Sequence, residues 1–98
     1  MALILAAQKG ESVFVGDRKV TVVDIVYPTK YLVKVEGPMD VIYTINASER
    51  TEILPNVFLS AGNTGSLEHA KLVFEAPKNK VILRERLYRE GAGHDNAL

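Results

Sequence analysis

The chain has no cysteine and no tryptophan, only two histidines, and equal numbers of acidic and basic side chains, twelve of each. Without cysteine there is no disulfide, no thiolate nucleophile and no cysteine-ligated metal, which suits a reducing compartment such as the cytoplasm. His69 and His94 have no neighbour at metal-ligand spacing, so no metal centre is expected. No apolar run approaches the roughly 20 residues of a membrane-spanning helix. Met1 to Ala7 is apolar, but it has no basic flank and is shorter than a secretory core, so it reads as a strand. A formal charge of zero argues against a generic nucleic-acid binder, for which a basic surface is the usual footprint.

Catalytic arrangements are missing as well. Ser48, Ser60 and Ser66 have no nucleophile-elbow context. Gly62 and Gly65 resemble a phosphate loop only in composition, since they do not follow a strand and open a helix. Glu11, Asp17 and Asp24 read as turn and surface carboxylates. Neither an enzyme nor a cofactor is expected.

What is present is β-pattern. Ninety-eight residues, 47% of them hydrophobic, make one small domain. Strands are predicted over Ala2 to Ala7, around Val13-Phe14-Val15, and over Arg18 to Val26, separated by turns at Lys9-Gly10 and Gly16-Asp17. Tyr27-Pro28-Thr29 ends the third, because proline has no amide hydrogen to give a sheet. Tyr31 to Glu36 and Val41 to Ile45 form a predicted hairpin through Gly37-Pro38-Met39-Asp40. Asn46 to Glu52 is polar, a loop or a single helical turn, and Asn56 to Ala61 is another short strand. Gly62 to Ser66 is the most flexible-looking stretch.

Lys71 to Glu90 is the most legible segment. Lys71 to Glu75 alternates polar and apolar, Ala76-Pro77 stops it, Lys78-Asn79 turns the chain, and Lys80 to Leu83 restarts as a strand. From Arg84 the composition favours a short helix, with Leu87 and Tyr88 as its apolar pair and Gly91 at its end. Residues 91–98 read as a flexible tail. Charge is unevenly spread: residues 71–90 hold six basic against three acidic side chains, and residues 31–70 hold two against five. Either these are ordinary solvated charges, or the basic segments lie together and build a local positive field.

Strand, Ala-Pro-Lys turn, strand, Arg-Glu, one charged residue, a branched aliphatic and Tyr resembles the C-terminal half of the carbon storage regulator (CsrA/RsmA) family. Leu3-Ile4-Leu5, Gly10-Glu11, Gly16-Asp17 and Lys19 to Val23 resemble its N-terminal half in order and spacing. The two blocks, 1–26 and 71–90, have the combined length of a family member, so residues 27–70 look like a β-rich insertion within a single domain spanning 1–98. The resemblance implies a mostly β fold: a small antiparallel sheet, an interleaved, strand-swapped homodimer and a short C-terminal helix. It also implies a bacterial or phage translational regulator that binds GGA-type elements in messenger or small RNA. The implied surface joins the first strand of one subunit to the last strand of the other, and main-chain groups and an arginine there can read a splayed RNA loop.

Carried over residue by residue, the resemblance places Arg84 on the family's principal arginine. Leu5 falls on the apolar residue of the first strand, and Val81 and Ile82 lie on the strand leading to the arginine. Lys80 and Lys9 are the cations nearest this implied RNA-binding set. The chain departs from the pattern after Leu5, where Ala6-Ala7-Gln8 stands in place of Thr-Arg-Arg, and at Leu83, where the family often has histidine. By this alignment, arginine at position 7 would strengthen RNA binding. The alternative function is a protein-interaction module on the same scaffold that has lost RNA recognition and binds a protein through the acidic insertion.

Overall fold

The computed structural model describes residues 2–84. They form nine strands: β1 Ala2–Ala7, β2 Ser12–Val15, β3 Arg18–Tyr27, β4 Lys30–Val35, β5 Val41–Asn46, β6 Thr51–Leu54, β7 Val57–Ala61, β8 Ala70–Glu75 and β9 Ile82–Arg84. The chain is thus mostly β, as its alternation predicts. The expected helix after Arg84 and the expected flexible tail lie outside the described residues.

The strands make two antiparallel sheets, one in the order β1-β8-β7-β6 and the other β5-β4-β3-β2-β9. In each, period-2 alternation decides which side chains face the other sheet. In the four-stranded sheet the register sets Leu3, Phe74 and Leu59 side by side, and Phe74 and Leu59 are fully buried. In the five-stranded sheet Val13, Val20 and Val35 line up, followed by Val22, Val33 and Tyr43. Between the two sheets lies one continuous apolar core.

Turn chemistry fixes these registers. Gly16 takes a positive φ of 63° in the connection from β2 to β3, and Asn56 takes 62° between β6 and β7. Asn is one of the few non-glycine residues that tolerates this region, and Pro55 before it pre-sets its own φ for the turn. The alternation of β3 is broken between Val22 and Asp24 and again between Ile25 and Tyr27. Up to the first of these irregularities the alternation buries Val20 and Val22, while Val23 is only partly covered.

Residues 27–70 are more than an insertion on a complete domain. Among the described residues they carry four of the nine strands and nine of the eighteen buried hydrophobic side chains, including Tyr31, Val33, Ile45, Val57 and Leu59. Sequence alone suggests a removable hairpin region because a partner sheet for the Tyr31/Val33/Val35 face cannot be seen in one dimension. β6 is also new: Thr51-Glu52 reads as loop, and this edge strand buries only Ile53. The Gly62–His69 loop is pinned, with the Gly62 amide on the Lys71 carbonyl (3.1 Å) and the Ser66 amide on the His69 carbonyl (2.9 Å).

Tyr31 links the sheets by a second kind of bond. Its ring is fully buried and its hydroxyl donates to the Ser60 carbonyl at 2.9 Å. Burial raises the phenol's pKa well above the ordinary value of 10.0. Tyr31→Phe keeps the packing but loses this hydrogen bond, and should cost about 1 kcal/mol at neutral pH. The folded state holds this proton while the unfolded chain begins to lose it near pH 10. Stability from the protonated phenol is therefore complete below pH 10 and declines as pH rises above it. Denaturant midpoints at pH 8 and pH 11 should show the wild-type advantage over Tyr31→Phe shrinking, by at most about 1.4 kcal/mol per pH unit.

Candidate nucleic-acid interface

β9 is short, but its register is definite. Ile82 lies opposite Val15, Leu83 opposite Phe14, and Arg84 opposite Val13. Directly paired residues share a face, so Ile82 and Arg84 project to the inner side with Val13 and Val15. Ile82 closes the core at that end, being only 9% exposed. β9 is the edge of its sheet and β1 the edge of the other, and Arg84 joins them. Its Nη1 donates to the Ala6 carbonyl oxygen at 2.6 Å, half-buried. Arg84 therefore lies in the strand itself, and among the described residues its side chain donates to a main-chain oxygen.

The same contact shows how β1 is oriented. The Ala6 carbonyl meets Arg84, and the Lys71 carbonyl, opposite Ala6, turns away from β1 to accept from Gly62. Ala6–Lys71 is thus a non-hydrogen-bonded pair, and Ala2, Ile4 and Ala6 direct their main-chain groups to the free edge. Leu3 and Leu5 pack partly buried against the core. Leu5 therefore contributes its side chain to the sandwich, and the outward main-chain groups beside it are those of Ile4 and Ala6.

The remaining expected residues fall into two places. Lys80 and Val81 lie at the β2–β3 turn, where the Gly16 amide donates to the Val81 carbonyl at 2.7 Å and the Lys80 side chain runs alongside Gly16. Val81 is exposed. Lys9 lies at the other end of β2, with its Nζ 3.7 Å from an Asp24 carboxylate oxygen in a largely exposed pair, an attraction that water and salt weaken. The structure brings Arg84 and the first strand together within one chain, whereas the resemblance implies a junction between two subunits. Lys80 and Val81 are at the opposite end of β9 from Arg84, so the six residues do not form one patch.

Two polar residues overlooked in the sequence join the Arg84 end. The Gln8 Nε2 lies 3.2 Å from His69 Nε2, and the Gln8 amide donates to Glu11 Oε1 at 2.6 Å. The pairing of Ala7 with Ala70 puts the next residues, 8 and 69, side by side. That register was the one signal able to reveal them, and it requires knowing that these strands pair. Ala7 is buried at 1% exposure. Arginine at position 7, which the alignment favours, would push a charge into the core and destabilise the fold rather than strengthen binding.

The pairings of β1 with β8 and of β9 with β2 are made within one chain. Within the chain, the first and last of these strands meet through the Arg84–Ala6 contact. An open hollow between the Gly16-Asp17 and Gly37–Asp40 turns is lined by charges of both signs, including Asp17, Arg18, Glu36 and Asp40. Among the described residues no three histidine or carboxylate side chains gather to hold a metal ion. No family model, no curated protein and no solved structure matches the chain.

Proposed function

We propose that the chain is a CsrA-like post-transcriptional regulator that binds GGA-type elements in single-stranded or hairpin-loop RNA in the cytoplasm. The observation that carries this reading is Arg84 on the last strand bridging to Ala6 on the first. A guanidinium has five donors in a planar fork, so with Nη1 on a carbonyl it still has donors for a guanine edge or a phosphate. Gln8, His69 and Lys9 supply polar contacts beside it. With no cation on the first strand and Lys9 just beyond it, binding is weaker than in a chain carrying Thr-Arg-Arg there. As a homodimer it would present two such junctions and bind paired elements on one transcript with raised effective concentration.

A titration of a GGA hairpin at low salt tests this. Arg84→Ala should weaken binding by about 1 to 3 kcal/mol, the range for an arginine reading a base edge. Arg84→Lys keeps a donor for Ala6 but loses the fork, so it should bind poorly while melting like wild type. Gln8→Arg, at an exposed position where the alignment also has arginine, should bind more tightly. Equal binding of GGA and scrambled hairpins, with no response to these changes, would reject the reading.

A second reading, a protein-interaction module, draws on one observation. Met39, Val41 and Ile42 are exposed together at the β4–β5 hairpin, and clustered exposed apolar side chains mark contact surfaces.

A further inference from the structure

Folding gathers charges that the sequence scatters, and the outer face of the five-stranded sheet shows it. On β4, Tyr31, Val33 and Val35 point into the core, so Lys30, Leu32 and Lys34 point outward. Paired residues share a face: Lys30 lies between Tyr27 and Asn46, Leu32 between Asp24 and Thr44, and Lys34 between Thr21 and Ile42. Tyr27 is 60% exposed and Ile42 59%. Lys19 is two residues before Thr21 on β3, so it shares this face too.

The charges here do not cancel. Lysines 9, 19, 30 and 34 stand against two carboxylates, Asp24 and Glu36. Asp24 is taken by Lys9, and among the described residues no carboxylate lies within ion-pair distance of Lys30 or Lys34. Residues 31–70 are acidic in sum, yet their other carboxylates lie elsewhere. Asp40 and Glu49 are in the connections on either side of β5, Glu52 is on β6, and Glu68 is in the loop before β8.

We propose that this face, across β3, β4 and β5, binds the single-stranded segment flanking the RNA element, with Lys30 and Lys34 on its phosphates and Tyr27 stacked on a base. The inference rests on RNA being the partner, as proposed above, and extends the path it takes over the molecule. Charge complementarity and continuity choose this occupant. Phosphates attract cations, and bases stack on aromatic rings whatever their sequence. Lys9, just beyond β1, reaches Asp24, whose partner on β4 is Leu32, with Lys30 and Lys34 two residues to either side. A strand leaving the Arg84–Ala6 junction past Gln8 and Lys9 therefore arrives between the two lysines. Four residues of strand separate them by about 13 Å, so they meet different phosphates. Lysine acts on phosphate as a point charge, so the flank adds affinity and the loop keeps the specificity.

Four RNAs test this: a GGA hairpin and a scrambled-loop hairpin, each with and without single-stranded uridine tails. For wild type at low salt the tails should tighten binding of both hairpins. Lys30→Gln/Lys34→Gln should lose that gain. Its slope of log affinity against log salt for tailed RNA should be shallower by about 1.4, at about 0.7 per single-strand phosphate contact. Tyr27→Ala should bind tailed RNA about 5-fold or more weakly and leave untailed RNA unchanged. Lys78→Gln, at the β8–β9 turn, should keep the full gain. None of these side chains is buried, so melting temperatures should match wild type. The two readings fail separately. Equal binding of the two loops with a lysine-dependent tail gain would reject GGA recognition and support this surface. Tails that add nothing to wild-type binding, or a double variant that keeps both gain and salt slope, would overturn the surface even where the GGA loop is preferred.

Discussion

Replacing residues 31–70 with an Asn-Gly turn should abolish cooperative unfolding. The two family-like blocks that remain have the combined length of a family member, and on sequence grounds alone they look sufficient. In the structure they are not. The replaced stretch includes all but the first residue of β4, the strand between β3 and β5 in the five-stranded sheet, together with β5, β6 and β7. Without it Val20 and Val22 lose the neighbours Val35 and Val33, and Leu72 and Phe74 lose Ala61 and Leu59. Each buried apolar side chain is worth about 1.5–3 kcal/mol. Losing Tyr31, Val33, Ile45, Val57 and Leu59 alone exceeds much of the 5–15 kcal/mol that holds a domain of this size. Relief of loop-closure entropy is worth far less, about 0.6 kcal/mol per halving of loop length. The shortened chain should melt without a transition and bind a hydrophobic dye. A sharp, two-state transition near the wild-type midpoint would show that the family-like blocks hold their own core.

The second large effect is expected from one side chain. Phe74 is fully buried between Leu3 and Leu59. Phe74→Ala removes a ring from a site enclosed on both flanks by sheet neighbours and from across by the facing sheet, so relaxation can fill little of the cavity. A loss of about 3–5 kcal/mol follows, which brings the domain close to its threshold. Phe58 provides the comparison. It lies on the outer face of the same sheet, half-buried, with the Arg50 guanidinium 4.7 Å from its ring centre and Arg50 also paired with Glu75. Phe58→Ala should cost well under half as much, because that ring is already wet on one side and the cation–π contact is worth about 0.5–1 kcal/mol. Guanidinium midpoints at constant m-value measure both. Equal costs for the two rings would mean that the inner and outer faces are wrongly assigned.

Much of this fold was legible because alternation and turn chemistry are local. Gly16-Asp17, Pro28, Gly37 to Asp40 and Pro77 mark strand ends that the structure keeps. The misses have non-local causes. Thr51 to Leu54 has an edge strand's weak pattern, and only its pairing with β7 reveals it. Arg84 sits before a run of helix formers, yet its pairing with Val13 holds it in a strand. Position 7 matches a family arginine by alignment, but the register of β1 on β8 turns it into the core. Arg84 could be singled out as a candidate from one dimension. Its partner, the Ala6 carbonyl, and the Gln8–His69 contact could not, because they depend on which edges of two sheets meet.

RNA recognition is proposed where β9 meets β1, and amide chemical shifts test this most directly. A 15N-labelled chain titrated at low salt with a GGA hairpin should show shifts at Ala6, Gln8, Lys9, His69, Val13 and Arg84 that saturate together. A scrambled hairpin should leave them small and unsaturated. Shifts that are absent, identical for the two hairpins, or centred on Met39 to Ile42 would contradict the account.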